Sequence, residues 1–398
     1  MDGGFLSDAF FSSLDSSVRE VNAAETLPPV CYTDPDFFKF EKDAIFYREW
    51  LCVGREAWVK NPGDYFTASQ IGEPLIIARN REGELKAMSA VCQHRAMLVA
   101  DGMGNARSFR CPYHHWTYSL DGNLVAAPEM DRACNFDKAD FRLPEVKLET
   151  WLGFIFINFD PDAAPLAPRL SAVTAVLKNY NIADNDELDR PASEPRKELW
   201  NWKVRYENAN DGYHANRLHG GAVHDCVPSA LATFPELPAD TAGYFRYNGT
   251  TTQDFGFNPT LKAVLPIFPG LTMEDRNRYL FLCIPPTLTM NCGSDLISFS
   301  MFNIEGPDEM TSRRGWQVAP GALKQPLFAE RLSTIMSTFA AIVEQDRDVD
   351  KAVQIGLHSK FATRGRYSWQ EQSQRELNNW IVSRYQAEWA RRRAKNAA

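Results

Sequence analysis

Residues 92–116 carry Cys92-Gln-His94 and, after sixteen intervening residues, Cys111-Pro-Tyr-His114-His-Trp116, a C-x-H-x16-C-x2-H spacing. Two thiolates and two imidazoles can hold one zinc ion. They can equally hold a two-iron, two-sulfur cluster in which the cysteines take one iron and the histidines the other. A Cys2His2 zinc site usually groups both cysteines in one half and both histidines in the other. Here each short loop carries one of each, so two loop tips could clamp a cluster between them. The interleaving favours the cluster, with Cys92, His94, Cys111 and His114 as its ligands.

At 398 residues the chain is long enough for two to three domains and a large core. Its 24% charged and 44% hydrophobic residues are ordinary for a soluble globular protein. A net charge of -8 gives no case for nucleic acid or an anionic membrane as partner, and the basic run Arg391 to Lys395 reads as a solvated helix end. The start, Met1-Asp-Gly-Gly-Phe, lacks a basic segment followed by an apolar one, so no secretory signal is expected. The longest apolar stretch, Trp151 to Phe159, is too short for a bilayer. The remaining cysteines (Cys31, Cys52, Cys134, Cys226, Cys283, Cys292) follow no framework spacing and read as buried thiols in a reducing cytoplasm.

A second polar cluster lies about a hundred residues downstream, in Asn201-Trp-Lys-Val-Arg-Tyr-Glu207-Asn208-Ala-Asn-Asp211-Gly-Tyr213-His214 and on to His219. The pattern predicts a helix from about Lys203 with Val204, Asn208 and Asp211 on one side, and His214 sharing the face of Asp211. His219 stands five residues past His214, about 140° round an ideal helix, so the helix must distort or end between them. Gly220-Gly221 is a natural stop. Two histidines at the end of one helix suit a metal site with open positions; a polar face with two satisfied histidines is the plainer alternative.

Such a metal site needs one more carboxylate. Residues 326–357 read as a long amphipathic helix whose stripe comprises Phe328, Leu332, Ile335, Phe339, Ile342, Val343 and Val353. Asp346 falls inside that stripe, where an unpaired carboxylate is costly, and Asp350 lies close to it, while Asp348 points to solvent. Helical phase leaves Asp346 and Asp350 both open. His214, His219 and one of them would form a 2-His-1-carboxylate site for non-haem iron(II).

With these residues in view the chain resembles the catalytic, or alpha, subunit of the Rieske non-haem iron oxygenases, the aromatic ring-hydroxylating family. The matching elements are C-x-H-R, C-P-Y-H-H-W, Asn201-Trp-Lys, and Glu207-Asn208-x-x-Asp211-x-Tyr213-His214-x4-His219, across roughly residues 40–385. In similar chains the ligand aspartate stands eight residues before a glutamine followed by Gly-Leu. Here that is Asp346 before Gln354-Ile-Gly356-Leu357. Gln345 departs from the glutamate that relatives often carry. Respiratory Rieske proteins brace the cluster with a disulfide, but Tyr113 occupies one of the positions required, so the chain falls with the oxygenase and ferredoxin branch.

The resemblance implies an α+β architecture in three parts. Residues 1–37 would pack on the catalytic domain, 38–160 would form an all-β Rieske 2Fe-2S domain, and 161–398 a helix-grip catalytic domain, an antiparallel sheet around a long C-terminal helix. Runs such as Pro74 to Arg79, Gly153 to Asn158, Arg278 to Pro285, Leu296 to Ile304 and Arg314 to Ala319 read as strands, and Asp160 to Pro168 as a linker. The implied activity is a terminal oxygenase activating O2 at mononuclear Fe(2+), with electrons arriving through the 2Fe-2S cluster. No dinucleotide fingerprint is present, so an NAD(P)H-dependent reductase, alone or with a ferredoxin, would supply them. A head-to-tail homotrimer is implied, with or without a small beta subunit. Asp211 matches the acid that links a cluster histidine of one subunit to an iron histidine of the next, and Asn208 a position near the iron.

Substrate-binding residues are not identified by these motifs. Eleven phenylalanines and tyrosines lie between Gly220 and Glu305, among them Phe234, Phe245, Phe255, Phe257, Phe268, Phe281 and Phe302, which suggests an aromatic or other apolar ring compound; sheet core is the plainer account of each. A related branch oxidises quaternary ammonium compounds of the carnitine and choline type, whose cations favour tryptophan faces. This span has no tryptophan, and Asp211 stands where that branch can carry glutamate. A Rieske electron carrier with no chemistry of its own is the third alternative, and it leaves most of the chain without a role.

Overall fold

The computed structural model describes residues 4–188, 195–215, 217–219, 221–238 and 241–397. They divide into one unit of Tyr47–Ala164 with Asn303–Glu305, and another of Met1–Phe46, Pro165–Phe302 and Gly306–Ala398.

Alternating runs broken by turn residues make the first unit all-β. Its strands are β1 (Leu51–Arg55), β2 (Asp64–Gln70), β3 (Glu73–Arg79), β4 (Leu85–Ser89), β5 (Met103–Asn105), β6 (Phe109–Arg110), β7 (Thr117–Tyr118), β8 (Leu124–Ala126), β9 (Glu145–Trp151) and β10 (Phe154–Asn158). Seven form a sheet in the order β1-β10-β9-β4-β3-β2-β5, and β6, β7 and β8 form a second. A core of Ile76, Met88, Phe109, Trp116, Tyr118 and Leu143 fills the unit, and Cys92 and Cys111 are buried within that cluster. The two cysteine loops leave from β4 and β6, so both are anchored on regular strands.

The other unit is a sheet packed with helices. Its strands are β11 (Asp186–Glu187), β12 (Arg196–Glu198), β13 (Ala232–Thr233), β14 (Tyr244–Gly249), β15 (Arg278–Ile284), β16 (Leu288–Cys292), β17 (Ile297–Gly306) and β18 (Glu309–Val318). They run in the order β11-β18-β17-β16-β15-β14-β13, with β12 also on β18. Antiparallel register places Arg246 opposite Phe281, Phe281 opposite Asn291 and Asn291 opposite Ser298. Directly opposed residues share a face, so these four form one row across β14 to β17.

The helices that matter to the site are α1 (Pro35–Glu41), α2 (Trp202–Asn210), α3 (Gly212–Ala215), α4 (Phe328–Leu357) and α5 (Gln372–Ala397). The apolar stripe of α4 meets Leu265, Leu296, Val318 and Ala322 through Ile335, flanked by Phe328, Leu332 and Phe339. Val353 departs from the expected stripe: it is 41% exposed, because by that turn the buried face of α4 is carried by the polar residues Asp350 and Gln354. The segment expected to be one helix through Asp211 is instead α2 and α3 joined at an extended Asp211 (φ -77°, ψ 111°). The stop expected at Gly220-Gly221 is not where the helix ends: α3 closes at Ala215, Gly221 opens another short helix, and Gly220 lies outside the described residues.

Cys31, Cys52, Cys283 and Cys292 are buried free thiols, whereas Cys134 is exposed on a surface turn; the Cys226 side chain lies outside the described residues. No helix among the described residues is long and apolar enough to cross a membrane.

Two candidate metal centres

The two cysteine loops fold alike. Ala96 N–H donates to Cys92 O at 3.0 Å and His115 N–H to Cys111 O at 3.0 Å; Cys92 N–H donates to Met97 O and Cys111 N–H to Trp116 O. The fifth residue of each loop, Ala96 (φ 58°) or His115 (φ 59°), turns the chain through the left-handed region. Each loop therefore buries its cysteine and raises a histidine two or three residues on. The His94 and His114 rings meet at 4.6 Å, and Trp116 stacks on His94 at 4.9 Å. Tyr118 steadies the first loop, accepting Gln93 N–H at 3.0 Å with its hydroxyl 3.4 Å from Cys92 Sγ.

Nδ1 of His94 and Nδ1 of His114 are buried with no hydrogen-bond partner. Two orphaned imidazole nitrogens beside two free buried thiols form a donor set that wants a metal. Burial, with His94 and Arg95 beside it, holds His114 below its ordinary pKa, which favours the neutral ring a metal needs. One cysteine and one histidine on each of two alike loops is the donor set of a two-iron, two-sulfur cluster held by cysteines on one iron and histidines on the other. The residues fit the cluster.

The second centre is built on α2, α3 and α4. The Asn201 side chain caps α2 by accepting Lys203 N–H at 3.0 Å, and its amide donates to Tyr32 O at 3.2 Å. Lys203 is buried and pairs with Glu41 of α1 at 2.6 Å, and Glu41 also accepts from Trp202 Nε1 at 3.2 Å and from the Tyr385 hydroxyl of α5. Removing one partner of such a buried pair costs roughly 3–5 kcal/mol. Gln354 of α4 accepts the Asn201 N–H at 2.9 Å. The residues of the Asn201-Trp-Lys motif and Gln354 thus fix where α2 begins and how α4 lies against it.

Asp211 ends α2 because its carboxylate serves the next helix. Oδ1 accepts Tyr213 N–H at 2.5 Å and His214 N–H at 3.3 Å. Oδ2 lies 3.1 Å from His214 Nδ1. That nitrogen has no partner in hydrogen-bond geometry, so the contact is one of proximity alone.

His214, His219 and Asp346 bring one ligand atom each within 4.8 Å of one another. His214 Nε2 and His219 Nε2 are 3.2 Å apart, and Asp346 Oδ1 lies 3.0 Å from His219 Nε2 and 3.6 Å from His214 Nε2. Three donors converging from two segments, one a buried carboxylate, fit a divalent ion with open positions. Burial disfavours ionised Asp346, but His219, Arg205 and His214 hold its carboxyl below the ordinary value. Asn208 donates to Asp346 Oδ1 at 3.4 Å and accepts from Arg205 at 3.2 Å. Asp350, one turn along α4, is buried away from the histidines, with Arg205 3.8 Å away; burial pushes its carboxyl up to about 8.

A cavity of about 100 Å³ opens at this centre, and a second of about 250 Å³ shares Arg205, Arg314 and Val343 with it. Of the aromatic residues expected to shape a pocket, Phe257 and Phe281 line the first and Phe302 the second. Phe234 and Phe245 line a separate space against α5, Phe255 is packed among Phe257 and Tyr279, and Phe268 packs on Tyr180. Sequence reasoning missed the polar wall: Arg205, Arg246, Asn291, Ser298 and Arg314 all face the cavity. The one hint was an arginine at the centre of the otherwise uncharged strand Tyr244-Phe-Arg-Tyr-Asn-Gly249.

The family profile described as ring hydroxylating alpha subunit (catalytic domain) matches residues 185–387, and that of the Rieske [2Fe-2S] domain matches residues 49–147. The carnitine monooxygenase oxygenase subunit of Acinetobacter baumannii is 36% identical over 208 residues, 50% of this chain and 54% of that protein. The biphenyl 2,3-dioxygenase subunit alpha of Rhodococcus jostii is 35% identical over 249 residues, 59% of this chain and 52% of that protein. The chain spans about half the length of the curated relatives it matches. Among solved structures, the quaternary ammonium Rieske monooxygenase CntA in complex with L-carnitine superposes with a TM-score of 0.75 at 23% identity, covering 96% of this chain and 99% of that one. Naphthalene 1,2-dioxygenase from Rhodococcus sp. gives 0.76 at 21% identity, covering 95% and 98%. At these identities the superpositions speak to the fold alone.

Proposed function

Because the chain belongs to the ring-hydroxylating alpha-subunit family, with a Rieske [2Fe-2S] domain ahead of its catalytic domain, we propose that it is a terminal oxygenase that hydroxylates an aromatic or other apolar ring compound. The observation that carries this reading is the convergence of His214, His219 and Asp346 in a unit separate from the four-ligand loops. A bound ferrous ion would supply dioxygen activation there, and a bound cluster would pass in electrons one at a time. Gln345 orients the His219 imidazole from its Nδ1 side, and Asp211 stands 3.1 Å from Nδ1 of His214, leaving each Nε2 for the ion. Asn208 steadies the carboxylate opposite them. Phe257, Phe281, Phe339 and Ile342 supply apolar surface beside the open positions and exclude water from them.

Electrons would come from an NAD(P)H-dependent reductase, alone or with a ferredoxin, in the cytoplasm. The protein would assemble as a head-to-tail homotrimer in which Asp211 joins His214 to His114 of the partner subunit. The carnitine monooxygenase relatives, with the aromatic group of Phe257, Tyr279 and Phe281, support a second reading, oxidation of a quaternary ammonium compound. The guanidinium groups of Arg205, Arg246 and Arg314 in the same wall count against a cation there. A pure electron carrier would leave His214, His219 and Asp346 without a use.

The test is single turnover of dithionite-reduced protein under 18O2, with iron counted on the same sample. Three irons per chain and a labelled ring product support the oxygenase. Two irons and no product would overturn it, and a labelled ammonium compound alone would replace the ring substrate with the second reading.

A further inference from the structure

Arg246 sits in the middle of β14, 4% exposed, with its guanidinium 3.9 Å above the Phe281 ring. One nitrogen, Nη1, donates to Asn248 Oδ1. Nε is buried with no partner, and among the described residues no carboxylate comes within ion-pair distance of the group. Burial lowers its pKa to about 10, with the nearby charge of Asp211 opposing that, so it remains charged at neutral pH. Asp211 across the same cavity is the opposing charge that reaches it, without an ion pair, and a buried cation held this way is costly. The edge that carries Nε, which has no hydrogen bond, is the side of a guanidinium that takes a carboxylate in two parallel hydrogen bonds.

Its surroundings say where that carboxylate would come from. Arg246 lines the cavity that also holds His214, His219 and Asp346, and its row continues across the sheet through Phe281, Asn291 and Ser298. Arg205 and Arg314 add positive charge to the same wall. The acids facing the cavity are Asp211 and Asp346, both engaged at the metal centre. Phe257, Tyr279, Phe339 and Ile342 give the remaining wall an apolar surface. One end of the cavity thus suits an anion and the rest an apolar body.

We propose that Arg246 receives the carboxylate of the substrate, so that the preferred substrate is an acid with an aromatic or other apolar body directed at the iron centre. This rests on the oxygenase reading and adds the charge of the substrate to it. Arg246 selects and positions the substrate and takes no part in bond making.

The experiment is binding of benzoate and 2-naphthoate, against benzamide and 2-naphthamide, to the reduced holoprotein under argon by isothermal titration. The wild type binds each acid at least about tenfold more tightly than its amide. Arg246→Met removes that preference to within about twofold, and Arg246→Lys restores part of it, with three irons per chain in both variants. Equal binding of acid and amide by the wild type, or an acid preference that survives Arg246→Met, would overturn the proposal. So would equal loss of both ligands with a lowered melting temperature, which marks a purely structural arginine. Binding is read without turnover. Acids held through Arg246 with no labelled oxygen in any product would overturn the oxygenase reading and leave the anchor standing.

Discussion

Gln345 Oε1 accepts the Nδ1 proton of His219 at 3.0 Å, one residue before Asp346 on the same helix. A single turn of α4 thereby supplies both a carboxylate and the group that orients an imidazole toward it. The amide fixes the orientation of the ring, so Nε2 faces Asp346 and is the nitrogen that would meet an ion. Where relatives often carry glutamate, this chain keeps the acceptor and drops the charge. Gln345→Leu should lower affinity for mononuclear iron about 10- to 100-fold, and Gln345→Glu should retain it. Iron retained on dialysis against a ferrous chelator measures both. Undiminished retention by Gln345→Leu would show that His219 needs no such support.

Asp211 has two tasks that substitution can separate. Its Oδ1 caps α3, and its Oδ2 stands 3.1 Å from His214 Nδ1. Asparagine caps helices as well as aspartate does but carries no charge. Asp211→Asn should therefore keep three irons per chain and a reducible cluster while single turnover falls about 100-fold. Asp211→Ala should add about 1 kcal/mol of lost stability from the missing cap. Normal turnover in fully metallated Asp211→Asn would remove the proposed bridge.

Much of this was legible because metal ligands constrain residue type. Cys92, His94, Cys111 and His114 could be read from spacing, and the structure gives them buried thiols and imidazole nitrogens without a hydrogen-bond partner. The long helix and Asp346 followed from a 3.6-residue stripe, with the resemblance needed to choose against Asp350. The break at Asp211 was not legible, since an aspartate inside a polar helix and one capping the next look alike in sequence. Nor were the left-handed residues Ala96 and His115, which lack the usual glycine. Arg246 was hidden for a different reason. Its meaning depends on the register of β14 through β17, which brings together residues up to 52 positions apart.

Glu207 makes stability fall with rising pH. Burial pushes its carboxyl from an ordinary 4.5 up to about 7, against the hydrogen bond it accepts from the Tyr32 hydroxyl at 2.5 Å. The folded protein thus holds a proton that the unfolded chain has already released. Its contribution is fully present below pH 4.5, is lost as pH rises through about 7, and is level above that. Glutamine keeps the acceptor without the ionisation. The melting temperature of Glu207→Gln relative to wild type should climb from pH 5 to pH 8, by an amount reflecting about 2–3 kcal/mol. A constant difference across that range would mean that Glu207 stays ionised when folded.

Asp346 and Asp350 face the same side of α4 one turn apart, yet only the first meets both histidines. The neighbours of Asp346 hold it ionised, and an ionised carboxylate is what a divalent ion binds. Asp350, pushed up to about 8, is largely protonated at neutral pH and offers such an ion little. Asp346→Ala should lose the mononuclear iron, so that the count falls from three to two per chain while the visible and EPR signals of the reduced cluster persist. Asp350→Asn should keep all three irons, because a neutral amide replaces a group that is already mostly neutral. The reverse result, iron lost with Asp350→Asn and kept with Asp346→Ala, would reassign the third ligand. Loss in both would mean that the turn of α4 acts as a unit, its two carboxylates coupled through Arg205 3.8 Å from Asp350.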